Sequence, residues 1–173
     1  MVPKVLRQKG VYFIMKLKRV VACLIVAVGI TLCFGKETNA SEKSYSKQDL
    51  KIMSTIIYCE AGGQRYAGKL AVGCVIMNRK KSSHFPNTVK GVVYQRGQFS
   101  PTWTGKMHRE LVAYKQGKYR YGLRAQCVRA AKAALEGERY VVSHGRKVNM
   151  KRYHYFNGSL SKARVRIGGH DFK

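Results

Sequence analysis

The chain has 173 residues, with 34 basic and 8 acidic side chains, a net charge of +26 and 45% hydrophobic residues. That length suffices for a domain with a real core, and the few cysteines exclude a small disulfide-stapled scaffold. The positive excess points to a polyanionic partner: nucleic acid, anionic lipid or an anionic cell-wall polymer.

In chain order, the first segment reads as a leader. A basic run, "KLKR" at 16–19, precedes sixteen uncharged residues, "VVACLIVAVGITLCFG" at 20–35. Thr38 and Ala40 then occupy the small-residue positions of a signal-peptidase site, so residues 1–40 are expected to be a signal peptide cleaved after Ala40. The apolar run is short for a span of about 20 residues; an uncleaved anchor is the alternative, and the only route to a membrane. Met15 directly precedes the basic run and is an alternative start. Residues 41–173 keep 27 basic and 7 acidic side chains, a net charge of +20. Export directs that charge to the wall rather than to nucleic acid.

The first helix of the exported part is expected from "SKQDLKIM", with Ser46 as N-cap and Asp49 completing an acidic capping box. Leu50, Met53, Ile56 and Ile57 mark its buried face, and Gly62 and Gly63 stop it. A second helix is expected over Tyr66–Arg79, with Leu70, Ala71, Cys74, Val75 and Asn78 on one face. A short one follows over Thr88–Tyr94. Next comes a loop with Phe99, Ser100 and Trp103 near its tip, then helices over 108–116 and 124–138. The last forty residues carry a turn at Asn157–Gly158 and a strand-like alternation before Gly168–Gly169. The sum is a mainly helical α+β domain with small extended segments in its second half. Cys59, Cys74 and Cys127 have no CxxC or zinc spacing, so no metal site is expected. They read as buried thiols, with one disulfide and one leftover cysteine as the alternative.

Glu60 stands out. It follows Met53 by seven residues, Ile56 by four and Ile57 by three, which stacks it on the apolar side of its helix. A carboxylate enters such a face when it is paired, or when its protonated form is useful. Two readings stand: a helix-end group pairing with Arg65, or an acid whose pKa burial raises toward neutrality. No tight acidic pair, GxSxG elbow, HExxH or phosphate loop offers other chemistry. A second carboxylate would have to come through the fold, from Glu110 or Asp171.

The stretch "IYCEAGGQRYAGKLAVGCVIMNRKKSSHFPNTVKGVVYQRGQFSP", residues 57–101, resembles the bacterial cell-wall hydrolase family that includes the spore cortex-lytic enzymes. So do "RAAKAALEGE" (129–138), "YHYFN" (153–157) and "RIGGHDF" (166–172). The resemblance covers residues 48–172. It implies a lysozyme-like, mainly helical catalytic domain over 41–173 with an open substrate groove, and it makes Glu60 the catalytic acid/base. It further implies a lytic transglycosylase that leaves 1,6-anhydromuramic ends in peptidoglycan, in spore cortex during germination, with no cofactor. A hydrolytic muramidase using Glu110 or Asp171, and a wall-binding protein without catalysis, are the alternatives.

Softer candidates for substrate binding are Phe99, Ser100, Trp103, Tyr155, Asn157, Asn78 and His170. Each has a structural reading beside it: core packing for Phe99, backbone hydrogen bonding for Asn78, anchoring of the double-glycine turn for His170. Tyr153 and Phe156 share the aromatic stretch with Tyr155 and suit a half-buried strand equally well. The expected protein is a secreted monomer whose partner is peptidoglycan, in the cell wall or spore cortex.

Overall fold

The computed structural model describes residues 45–173; the expected leader, its cleavage after Ala40 and the Met15 start lie outside the described residues. Helix α1 (Lys47–Ala61) begins where the capping box places it. The Ser46 hydroxyl accepts from the Asp49 backbone N–H at 3.0 Å, and the Asp49 carboxylate accepts from the Ser46 N–H at 3.3 Å. Ile52, Met53, Ile56 and Ile57 form its buried side.

Helix α2 (Tyr66–Lys81) is the core of the fold, with every residue from Gly68 to Arg79 buried. It is enclosed because it packs against α1 and against α5 (Gly122–Leu135), which also packs on α1. The three helices converge at Gly73. A Cβ there would lie 2.9 Å from the Cβ of Ala134 and 3.2 Å from Cδ1 of Ile57, so the missing side chain sets how closely they approach.

Between these long helices lie α3 (Val89–Tyr94), a 3₁₀ turn over Ser100–Thr102, α4 (Lys106–Lys115) and a second 3₁₀ turn over Lys118–Arg120. Thr88 caps α3 by accepting from the Gly91 N–H at 3.0 Å. The 108–116 helix starts two residues earlier than its periodicity suggests, because Gly105 turns the chain with a φ of +75°. The 124–138 helix is shifted the same way: it opens at Gly122 and closes at Leu135. Residues 136–138 form its cap, Gly137 taking a φ of +104° while the Glu138 N–H returns to the Ala133 carbonyl at 2.8 Å.

The second half holds two small antiparallel sheets. Strands β1 (Tyr140–Ser143) and β2 (Arg146–Asn149) form a hairpin through His144 and Gly145, both at positive φ. That conformation matches the twist of a two-residue hairpin turn; sequence reading left this hairpin unplaced. Strand β5 (His170–Phe172) lies between β3 (Phe156–Asn157) and β4 (Val165–Ile167). Phe172 pairs with Phe156 on one side and Val165 on the other, and Ile167 and Phe172 enter the core.

Among the described residues, the three cysteines, Cys59, Cys74 and Cys127, are buried and unpaired. Burial pushes their thiols up, to about 12 for Cys59 and Cys74 and about 11 for Cys127, so they are weak nucleophiles at neutral pH. No described helix is long and apolar enough to cross a membrane.

Candidate active site

Glu60 occupies the last turn of α1, half-buried, between two segments tied to that end of the helix. On one side, the Lys106 ammonium donates to the Cys59 carbonyl at 2.6 Å. This draws the start of α4, and the 3₁₀ turn packed against it, onto α1. On the other, Gln64 clasps the β4–β5 turn. Its Oε1 accepts from the Gly169 N–H at 3.2 Å, and its Nε2 lies 3.0 Å from Nδ1 of His170. The first contact orients the amide, so Nε2 donates to Nδ1 and the proton of neutral His170 sits on Nε2.

The turn that follows Glu60 is built around this glutamine. Lys69, fully buried, donates its ammonium to the Gln64 carbonyl. Gly68 and Gly168 flank the Gln64 side chain, and a Cβ at either would collide with its Oε1. Gly168 also needs its φ of +60°. The "EAGGQ" stretch therefore locks the double-glycine turn more than 100 residues away to the end of α1.

Electrostatically, Glu60 stands apart. Burial pushes its carboxyl above the ordinary range, and the positive charge of Lys106 opposes this without cancelling it. Arg65 does not pair with it: it is exposed and borders a different cavity. The two ion pairs among the described residues lie elsewhere, Arg124 with Glu110 and Arg166 with Asp171, both at 2.9 Å. Glu110 takes a forked pair of bonds from Arg124 and a third from the Tyr119 hydroxyl. Burial raises its pKa, but these bonds and the Arg124 and Lys106 charges outweigh it and hold the carboxyl below its ordinary value. Asp171 also accepts from the Leu160 N–H at 3.2 Å. Both candidate second carboxylates are thus engaged as anions by other groups.

The remaining candidates separate by exposure. Trp103 is 57% and Tyr155 49% exposed, and Ser100 and Asn157 are open to solvent. Phe99 is 1% exposed and part of the core, so its ring cannot stack on a ligand. It packs on Phe156 at 6.1 Å, and Phe156 on His170 at 4.9 Å. Asn78 is committed to structure, its amide donating to the carbonyls of Met150 and Tyr153 at 2.6 and 2.9 Å. His170 is half-buried, and burial, then the Arg166 charge, lower its pKa and keep the ring neutral.

Sequence reading missed Lys106, Gln64 and Arg79. The last is 4% exposed, donates to the His154 carbonyl at 2.6 Å, and lies 5.3–5.5 Å from the ring centres of Phe85, Phe99 and Tyr155. Its position at the end of an otherwise apolar helix face was the available signal. A cavity of about 730 Å³ lies between the amino end of α2 and the β1–β2 hairpin, and no acid lines it. Among the described residues, no three His, Cys, Asp or Glu side chains are grouped to hold a metal ion.

The catalytic domain of the germination-specific lytic transglycosylase SleB from Bacillus anthracis is similar in structure, with a TM-score of 0.54 and 26% identity. The match covers 74% of this chain and 95% of that one. The catalytic domain of Bacillus cereus SleB matches with the same score and identity over 80% of this chain and 98% of that one. The lysozyme-like, mainly helical architecture is the one these domains share. In sequence, spore cortex-lytic enzyme of Bacillus cereus is 38% identical over 73 residues, 42% of this chain and 28% of that protein. The Oceanobacillus iheyensis enzyme of the same name is 38% identical over 65 residues, 38% and 24% of the two lengths. The matched segment therefore spans about a quarter of these relatives. The cell wall hydrolase family model matches residues 63–173, starting three residues after Glu60. With that match extending over more than half of its length, the chain belongs to the cell wall hydrolase family.

Proposed function

We propose that the protein is an exported peptidoglycan lytic transglycosylase and that Glu60 is its catalytic acid and base. The observation that carries this reading is the isolation of Glu60: a half-buried carboxyl raised above its ordinary pKa, with a cation nearby and Glu110 and Asp171 bound elsewhere. A glycosidase that activates water or forms a glycosyl-enzyme needs two carboxylates about 5–9 Å apart. One carboxyl suffices when the substrate supplies the nucleophile.

Protonated Glu60 donates to the oxygen linking N-acetylmuramic acid to N-acetylglucosamine, and the C1–O bond breaks. The carboxylate then takes the proton from the muramic C6 hydroxyl as that oxygen bonds to C1. A 1,6-anhydro ring forms, the carboxyl is protonated again, and no water is consumed. Positive charge on the ring is eased by nearby carbonyls and hydroxyls. Exposed Trp103 and Tyr155 are suited to sugar faces, Ser100 and Asn157 to sugar hydroxyls, and His170, held neutral, to donating from Nε2. The similarity to spore cortex-lytic enzymes favours cortex as the substrate and the spore or wall as the location, reached by way of the leader at 1–40.

Digestion of purified cortex peptidoglycan by the wild type and by Glu60→Gln, with mass analysis of the sugar ends, tests this. Anhydro ends from the wild type and a loss of about 10²–10⁴-fold in the variant are expected. Reducing muramic ends would instead identify a hydrolytic muramidase. Equal cleavage by both proteins removes Glu60 from the mechanism, and no cleavage by either leaves a wall-binding protein.

A further inference from the structure

At the opposite end of α2 from the Glu60 turn, a hollow of about 300 Å³ is lined by Asn78, Lys81, Ser82, Arg139, Lys151 and His154. At 1.5 Å per residue, the sixteen residues of α2 put the two places roughly 20 Å apart. No carboxylate lines the hollow. Arg139 is 5% exposed, and a guanidinium stays charged at any pH a protein survives. Its Nη1 donates to the carbonyls of Ala134 and Glu138 at 2.8 and 2.6 Å, capping the end of α5. Its Nη2 is buried without a partner, although a buried charged donor is costly to leave unmatched.

Helix ends explain part of this gathering of cations. The carboxyl termini of α2 and α5 each contribute about half a negative charge, which leaves about two of the three positive charges unopposed. Glu138 lies outside the lining, its carboxylate accepting from the N–H groups of Arg139 and Tyr140 at 2.7 and 2.6 Å, and its charge offsets only part of what remains. Like charges around one concavity, with an orphaned guanidinium nitrogen and a hydroxyl among them, are the arrangement that a multivalent oxyanion completes. A phosphate, with more charge and more acceptor oxygens than a carboxylate, meets the unpartnered Nη2 of Arg139 and two ammonium groups together.

We propose that this hollow binds a phosphate group, through Arg139, Lys81 and Lys151, as a site separate from Glu60. The phosphate is either free or one link of a phosphodiester polymer in the wall. In the second case the site holds the domain on its substrate sheath while the Glu60 end works on glycan. The proposal does not depend on the transglycosylase reading, since phosphate binding is unaffected by Glu60→Gln.

Calorimetric titration of the full chain with inorganic phosphate, at ionic strength held constant with chloride, tests it. Saturable one-site binding is expected, weakened about tenfold or more in Lys81→Gln/Lys151→Gln. A Lys47→Gln/Lys118→Gln control, equal in net charge, should bind as the wild type does. Arg139→Gln should abolish binding, but it also uncaps α5, so the lysine pair is the deciding variant. Retention on wall fragments before and after removal of their phosphodiester polymers then separates the sources. Loss of retention on removal assigns the site to the polymer, and unchanged retention assigns it to free phosphate. Absence of saturable binding, or equal weakening in the control pair, overturns the proposal.

Discussion

Lys106 is the residue whose charge acts most directly on the Glu60 carboxyl. Its ammonium is tethered to the carbonyl preceding Glu60, and its charge pulls down a pKa that burial has raised. A general acid works while protonated, so activity is present below the Glu60 pKa and fades as pH rises through it. Replacing Lys106 by Met removes the lowering contribution. The alkaline limb of the pH–rate profile should therefore move to higher pH, with folding largely intact because Lys106 is exposed. Movement to lower pH would mean that Lys106 does not act on Glu60 by its charge. The scarcity of acids and the spacing of Glu60 singled it out in the sequence and left two readings of it open. Neither could reveal Lys106, whose link to Cys59 spans 47 residues.

Among the elements, the α1–α2–α5 junction and the Gln64 clasp matter most. At Gly73 a Cβ already comes within 2.9 Å of Ala134, so Gly73→Val must separate α2 from α5. Overpacking of this kind costs about 1–3 kcal/mol, to be read as a lower urea midpoint at unchanged slope. Gln64→Ala removes two contacts to the β4–β5 turn and leaves the helices alone. A stability loss of about 1 kcal/mol is expected, with a larger relative loss of cleavage because the His170 side of the site is released. Equal activity in soluble variant and wild type would show that the turn does not shape the site. Helices α1, α2 and α3 were legible from caps and periodicity, since those signals act within a few residues. The ends of α4 and α5 shifted because Gly105 and Gly137 take left-handed conformations that periodicity does not register.

For the molecule as a whole, positive charge dominates. Residues 41–173 carry a net charge of +20, which favours anionic surfaces through long-range attraction. Raising salt from about 0.1 M to about 1 M shortens the screening length from roughly 10 Å to roughly 3 Å. Binding to purified sacculi should weaken accordingly, as measured by cosedimentation; retention independent of salt would assign it to short-range contacts alone.

From the sequence by itself came the first helices, the α+β class, the singular status of Glu60 and, through a series of motifs, the family. All of these rest on local spacing or on the order of short segments. Tertiary structure alone decided that Phe99 and Asn78 turn inward, that Glu110 and Asp171 are spent on arginines, and that Arg139 is left with an open valence. Whether a polar group meets a partner, a core or solvent depends on segments remote in sequence, and their approach is set by packing that no single stretch encodes.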